Sequence, residues 1–220
     1  MKNSWYWGLS LSVPLVLISL RWAITGTRTY NFYYWNLFLA LVPLMASALL
    51  DSRASLFSGR NLVSLGIWFL FLPNAPYLIT DLIHFQERPP FPVYVDEVIV
   101  YSAGWNGVLL GYASVMRVEK WLLTRYAQRP VDIALLGVFL LTGLGIYLGR
   151  FSRWNSWDIV THPYALSKDI GLRVLFPFRY KQTWAVSLLF GGLLMIGYVC
   201  LRSQIQGRST VWGFRRRTHP

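Results

Sequence analysis

The sequence predicts an all-α, polytopic integral membrane protein of about six transmembrane helices, with an interfacial segment between the fifth and the sixth. Three observations predict it. Only 14% of the 220 residues are charged while 55% are hydrophobic, where an ordinary soluble domain carries about 25% charged residues. The charges are clumped, leaving six runs without Asp, Glu, Lys or Arg: Asn3–Leu20, Thr29–Leu50, Asn61–Thr80, Val98–Met116, Ile133–Gly149 and Gln182–Leu201. Each run has the length that a hydrocarbon core about 30 Å thick demands of a helix rising about 1.5 Å per residue. Six buried core helices in a row would leave a soluble protein no polar surface, which excludes that reading. The spans fall at about 4–20, 30–50, 61–80, 98–116, 133–149 and 182–201, in a single membrane domain followed by a basic tail over 202–220.

Taken in order, the first run follows Lys2 as a signal peptide would. Arg21, Trp22 and Ile24 stand where a cleavage site needs small residues, so the run reads as a retained anchor. Residues 21–28 and 51–60 are short enough for tight turns between helices. The third run contains Leu72-Pro73-Asn74-Ala75-Pro76-Tyr77. Two prolines three apart remove backbone donors and crowd the preceding turns, so the helix is expected to bend or break between Leu72 and Tyr77, a kink being the favoured form. Asn74 is the local partner for the carbonyls so freed. In the fourth run Asn106 brings an amide about a third of the way across the bilayer, which requires a hydrogen bond to a neighbouring helix, expected at the third span. Gly107 with Gly111, and Gly145 with Gly149, have the small-xxx-small spacing that lets helix backbones approach. The longest connection, 150–181, carries Trp154, Trp157, Tyr164, Phe176 and Phe178, a composition suited to the membrane interface.

The formal charge of +12 raises the possibility of nucleic-acid binding. The basic residues lie between spans, where orientation and anionic headgroups account for them, so no nucleic acid is expected and the bilayer with its anionic lipids is the expected partner. With the N-terminus inside, 12 Lys and Arg fall on the inner side and 9 on the outer. Arg215, Arg216 and Arg217 are among the inner 12 and concentrate charge there, so both termini are expected in the cytoplasm. Cys200 is the single cysteine, so no intramolecular disulfide forms, and neither zinc spacing nor any motif implies a cofactor. A protein partner or homo-oligomer stays open.

Candidate chemistry gathers on one face. Asp81 and His84 share a helix face at i, i+3, and chain parity brings Asp158 and His162 to the same side of the membrane. Two imidazoles and two carboxylates would suit a borderline metal or acid–base work, but their spacing matches no metal motif. An ion pair of Asp81 with Arg150 or Arg153 is the stronger expectation, because charges near hydrocarbon seek partners. The candidate binding residues are Asn74, Asn106, Arg150, Arg153, Trp154, Asn155 and Trp157. Three functions follow, in this order: a binding or structural role, with Arg150, Arg153, Trp154 and Trp157 holding an anionic headgroup or a protein; a membrane-embedded enzyme acting on a lipid-linked substrate; and a small transporter using the interrupted third span.

The runs LPNAPYLITDLIHF, SAGWNGVLLGY and GIYLGRFSRWNSWDIVTHP resemble the hallmark stretches of a bacterial membrane-protein family catalogued as domain of unknown function 1361. The resemblance extends from the second span to the sixth. It implies a multi-pass protein of the bacterial cytoplasmic membrane and carries over no activity and no catalytic residue.

Overall fold

The computed structural model describes residues 5–85 and 91–214; the side chains of His84 and of residues 206–214, and the whole of Arg215, Arg216 and Arg217, lie outside the described residues. The described chain is helical, without strands. Its elements are α1 (Trp5–Thr25), α2 (Phe32–Ala48), α3 (Gly59–Phe71), α4 (Asn74–Tyr77), a 3-10 segment (Leu78–His84), α5 (Val93–Leu122), α6 (Gln128–Arg150), α7 (Asp158–Thr161), α8 (Pro163–Leu175) and α9 (Lys181–Phe214).

Among the described residues five stretches are long and apolar enough to cross a membrane: Trp5–Thr25, Gly59–Ile83, Val93–Leu122, Gln128–Arg150 and Lys181–Ile205. The second expected span is the shorter apolar helix α2, whose 17 residues extend about 26 Å. Elsewhere the helices outrun their charge-free runs. α5 begins before Val98 and ends after Met116, and α9 continues through 202–214, so that part of the expected tail is helix. The excess turns carry charges that find partners. Arg21 and Asp96 are almost wholly buried and pair twice, at 2.6 and 3.2 Å, joining α1 to α5. At the other end Arg202 of α9 reaches Asp132 of α6 at 2.8 Å and Glu119 of α5 at 3.1 Å, while Tyr198 donates to Glu119 at 2.5 Å.

α5 is the most buried helix and joins two cores. On one side it packs with α1, α2, α4 and the 3-10 segment around Ile18, Tyr33, Leu78 and Ile99. On the other Val115 and Val118 meet Trp68 of α3, Phe139 and Ile146 of α6 and Tyr198 of α9. α6 and α9 form the most extensive helix pair and approach closely, since a Cβ on Gly143 would stand 2.2 Å from the Ser187 carbonyl oxygen and one on Gly191 2.7 Å from that of Phe139. Large apolar side chains such as Phe38, Met45, Leu141 and Leu189 remain exposed around the outside, as a hydrocarbon solvent allows. The α1–α2 turn, the 3-10 segment and the α6–α9 connection meet at one end of the bundle, as the Arg150–Asp81 pair and the Trp35 and Trp157 rings, 6.4 Å apart, record.

Candidate functional site

The interruption in the third span organises the site. The last α3 bond runs from the Leu72 N–H to Trp68 O at 2.9 Å, after which Pro73 and Pro76 offer no donors and the ladder shifts to Ala75 N–H on Leu72 O at 3.2 Å. Leu72 and Pro73 keep right-handed helical dihedrals, so the ladder is interrupted while the backbone stays helical. The exposed carbonyls are satisfied by side chains. Asn74 Nδ2 donates to Phe71 O at 3.1 Å and to Ser156 Oγ at 2.7 Å, and Ser156 Oγ donates to Leu70 O at 3.2 Å. Ser156 belongs to the segment after α6, so that segment is hydrogen-bonded onto the interruption.

Four glycines hold the interrupted turn from both sides. A Cβ on Gly107 of α5 would lie 2.2 Å from Ala75 O, and one on Gly111 would touch Ala75 Cβ at 3.4 Å. From α6, Gly145 faces Pro73 at 2.5 Å and Gly149 faces the Tyr77 ring at 3.4 Å. The two small-xxx-small pairs therefore admit one short helix between α5 and α6 instead of pairing with each other.

Above this turn Arg150 pairs with Asp81, donates through Nε to Thr80 Oγ1 at 2.9 Å, and lies over the Tyr77 ring at 4.8 Å. The Tyr33 hydroxyl faces the same carboxylate. Asp81 Oδ2 is buried and accepts no hydrogen bond from the described residues. Arg150 is thus engaged inside the protein by Asp81, Thr80 and the Tyr77 ring.

Beyond Arg150, helix α6 ends through a bond from Trp154 N–H to Leu148 O at 3.0 Å, with Arg153 at φ 59° in the left-handed position usually given to glycine. The Trp154 indole donates to Asp169 of α8 at 2.9 Å, and Asp169 also pairs with Arg173 at 2.9 Å. Burial works against the Arg173 charge, but the Asp169 carboxylate outweighs it and raises the guanidinium pKa. Asp158 closes its own turn: its carboxylate accepts from the Asn155 N–H at 2.7 Å, from Thr161 Oγ1 at 3.0 Å and faces His162 Nδ1 at 3.4 Å. The Asn155 N–H, with the Thr161 hydroxyl and His162 behind it, lowers the Asp158 pKa below the usual carboxylate range.

Between these parts lies a cavity of about 840 Å³. α3 packs on α2 and α6 packs on α9, leaving a slot between α3 and α6. Ile67 and Leu70 line one side, Leu141 and Leu144 the other, and Leu166 and Ile170 of α8 cover it. Polar groups collect at the end nearest the interruption: Asn36, Asn74, Tyr77, Trp154, Asn155, Ser156 and Trp157. Among the described residues the lining contains no charged residue and no histidine. At about 840 Å³, with mostly apolar walls and convergent polar groups, the space has the dimensions and character of a small-molecule site.

The structure brings Asn74, Trp154, Asn155 and Trp157 together in the cavity wall and leaves Arg153 exposed on the same loop. Asn106 is elsewhere. It exchanges hydrogen bonds with Ser10, receiving from Oγ at 2.8 Å and donating to the carbonyl at 3.0 Å, so its neighbour is α1 and not the third span. Asp158 and His162 stand side by side, Asp81 is bound to Arg150, and the His84 side chain lies outside the described residues. Among the described residues no three His, Cys, Asp or Glu side chains gather as metal ligands would. Sequence reasoning missed Asn36 and Tyr77 as lining residues and the Arg21–Asp96 pair; an amide inside an otherwise apolar run was the signal for Asn36.

No curated protein and no solved structure matches the chain. A family model described as a protein of unknown function (DUF1361) matches residues 35–196, a range that contains every residue lining the cavity, and the chain belongs to that family.

Proposed function

We propose that this protein is a single polytopic domain of a cell membrane that binds an anionic phospholipid, with the hydrocarbon chains in the slot between α3 and α6 and the headgroup under the α6–α9 connection. The observation that carries the reading is the cavity itself: apolar along its length, polar at one end, and roofed by a basic segment. From Arg150 to Lys181 there are six Lys or Arg and two Asp. Arg150 and Arg173 are paired with Asp81 and Asp169, whereas Arg153, Lys168, Arg179 and Lys181 are exposed and make no ion pair among the described residues. Exposed cations on the connection that lines and covers a neutral, mostly apolar cavity suit a ligand with an anionic head and apolar tail. Because the wall carries no acid or base among the described residues, the geometry supports binding above catalysis. At the deep end the Thr142 hydroxyl is returned to Val138 O at 2.8 Å, so nothing there favours a route for a polar cargo.

The basic count favours both termini in the cytoplasm and, with them, the cavity's polar end outside; reporter fusions after Arg60 and Arg129 (inside) and Arg179 (outside) test that orientation. Binding is tested by thermal unfolding in detergent with added phosphatidylglycerol or phosphatidylcholine. Phosphatidylglycerol should stabilise, since a ligand at about 100 times its Kd adds about 2.7 kcal/mol, and phosphatidylcholine should do much less. Gly66→Leu intrudes on the cavity from a position where a Cβ meets no atom within 4 Å, and should abolish the response. Equal stabilisation by both lipids, or a response that survives Gly66→Leu, refutes the proposal.

A further inference from the structure

We infer that the bound lipid is ester-linked, with the Asn36 amide donating to an acyl carbonyl one helical turn below the headgroup; this rests on the lipid-binding reading above. Asn36 is half-buried in α2, lines the cavity, and makes no hydrogen bond among the described residues. A half-buried amide without a partner at the edge of an apolar slot is costly, so a ligand atom that accepts from it is favoured over one that does not.

Its depth is informative. Asn36 is four residues into α2, which puts it about 6 Å below the helix end. Trp35, beside it, stands 6.4 Å from Trp157 of the covering loop. A headgroup beneath that loop would place glycerol esters at the level of Asn36, within the boundary about 5–10 Å deep that separates headgroups from acyl chains.

The chemistry of the wall agrees. Besides Asn36, the Trp157 indole and the Tyr77 hydroxyl line the cavity and donate to no acceptor among the described residues. Asn74 donates to Phe71 O and to Ser156 Oγ, and Ser156 donates to Leu70 O, so their hydrogens are already used. The wall therefore offers N–H and O–H donors, which match phosphate oxygens and ester carbonyls. An isoprenyl phosphate supplies the phosphate but nothing polar at the depth of Asn36, leaving that amide unsatisfied.

The test compares three probes on the detergent-solubilised full chain: diacyl phosphatidylglycerol, its dialkyl ether analogue without carbonyls, and a long-chain isoprenyl monophosphate, each titrated by native mass spectrometry. One neutral hydrogen bond predicts that the diacyl lipid binds about fivefold more tightly than the ether. Asn36→Leu should remove that preference by weakening the diacyl lipid alone, while Asn36→Gln keeps part of it. Equal binding of diacyl and ether lipids by the unaltered protein overturns the inference without any variant, and so does a preference that persists in Asn36→Leu. Tightest binding of the isoprenyl phosphate also overturns it, yet leaves anionic-lipid binding intact. If no probe binds, the lipid-binding reading falls and this inference with it.

Discussion

Separating Asp81 from Arg150 should destabilise the protein by about 3 kcal/mol, the lower end of the range for removing one member of a buried pair. The side chains keep only 13% and 14% of their exposure, so the exposed-pair range of about 0–1 kcal/mol does not apply. Asp81→Asn keeps the shape and removes the charge. It leaves Arg150 with the Thr80 hydroxyl and the Tyr77 ring, neither of which neutralises a cation. Arg150→Gln leaves the Asp81 carboxylate facing the Tyr33 hydroxyl, with Oδ2 already lacking a donor among the described residues. At about 2–4 °C per kcal/mol for a chain of this size, each single change should lower the unfolding midpoint in detergent by about 6–12 °C. The double variant should fall short of the summed losses by about 2 kcal/mol, since the second change removes a charge that the first left alone. Lys168→Ala, exposed on α8, should change the midpoint little. Strict additivity of the two changes would refute the reasoning, and the pair would then be a surface contact without energetic coupling.

Gly107→Ala drives a methyl within 2.2 Å of Ala75 O and should cost at least about 1–3 kcal/mol, whereas Gly137→Ala, with nothing within 4 Å, should be neutral or stabilising by up to about 1 kcal/mol; midpoints of unfolding compare the two. Arg153→Gly relieves the left-handed backbone at φ 59° and should stabilise by about 1 kcal/mol, while weakening phosphatidylglycerol binding and flattening its salt dependence; a loss of stability would show that the guanidinium has a structural task. Asp158 has a depressed pKa in the fold, so its contribution is present above the unfolded carboxylate value of about 3.9 and is lost as pH falls through the lower folded value. The hydrogen-exchange protection factors of residues 155–162, taken relative to the intrinsic rate at each pH, should therefore hold from neutral pH down to about 4 and fall below it, and Asp158→Asn should flatten that profile.

The helical membrane architecture was legible because it follows from solvent and geometry. A chain with long charge-free runs buries its backbone polar groups in lipid only as helices, and the run lengths give the spans. Pro73 and Pro76 announced the interrupted helix by removing donors, and the need to pair charges near hydrocarbon announced a partner for Asp81 in Arg150 or Arg153, of which the structure uses Arg150. Run boundaries misled where charges were buried in pairs. Arg21 and Asp96 stand within helices, and a charge count has no way to distinguish a solvated charge from one neutralised by a distant partner.

What only the tertiary structure decided is how the helices share their faces. The sequence named Gly107, Gly111, Gly145 and Gly149 as close-approach positions, but which backbone approaches depends on three bodies meeting, and that body is the short turn at Ala75 and Pro73. Asn106 and Asn74 are both amides inside apolar runs, yet one closes on Ser10 and the other opens toward Ser156 and a cavity. Composition and period fix what each helix needs to bury, since those needs are local. The cavity exists because α3 is held by α2 and α6 by α9, so the gap between them is set by long-range contacts that no single run of residues encodes.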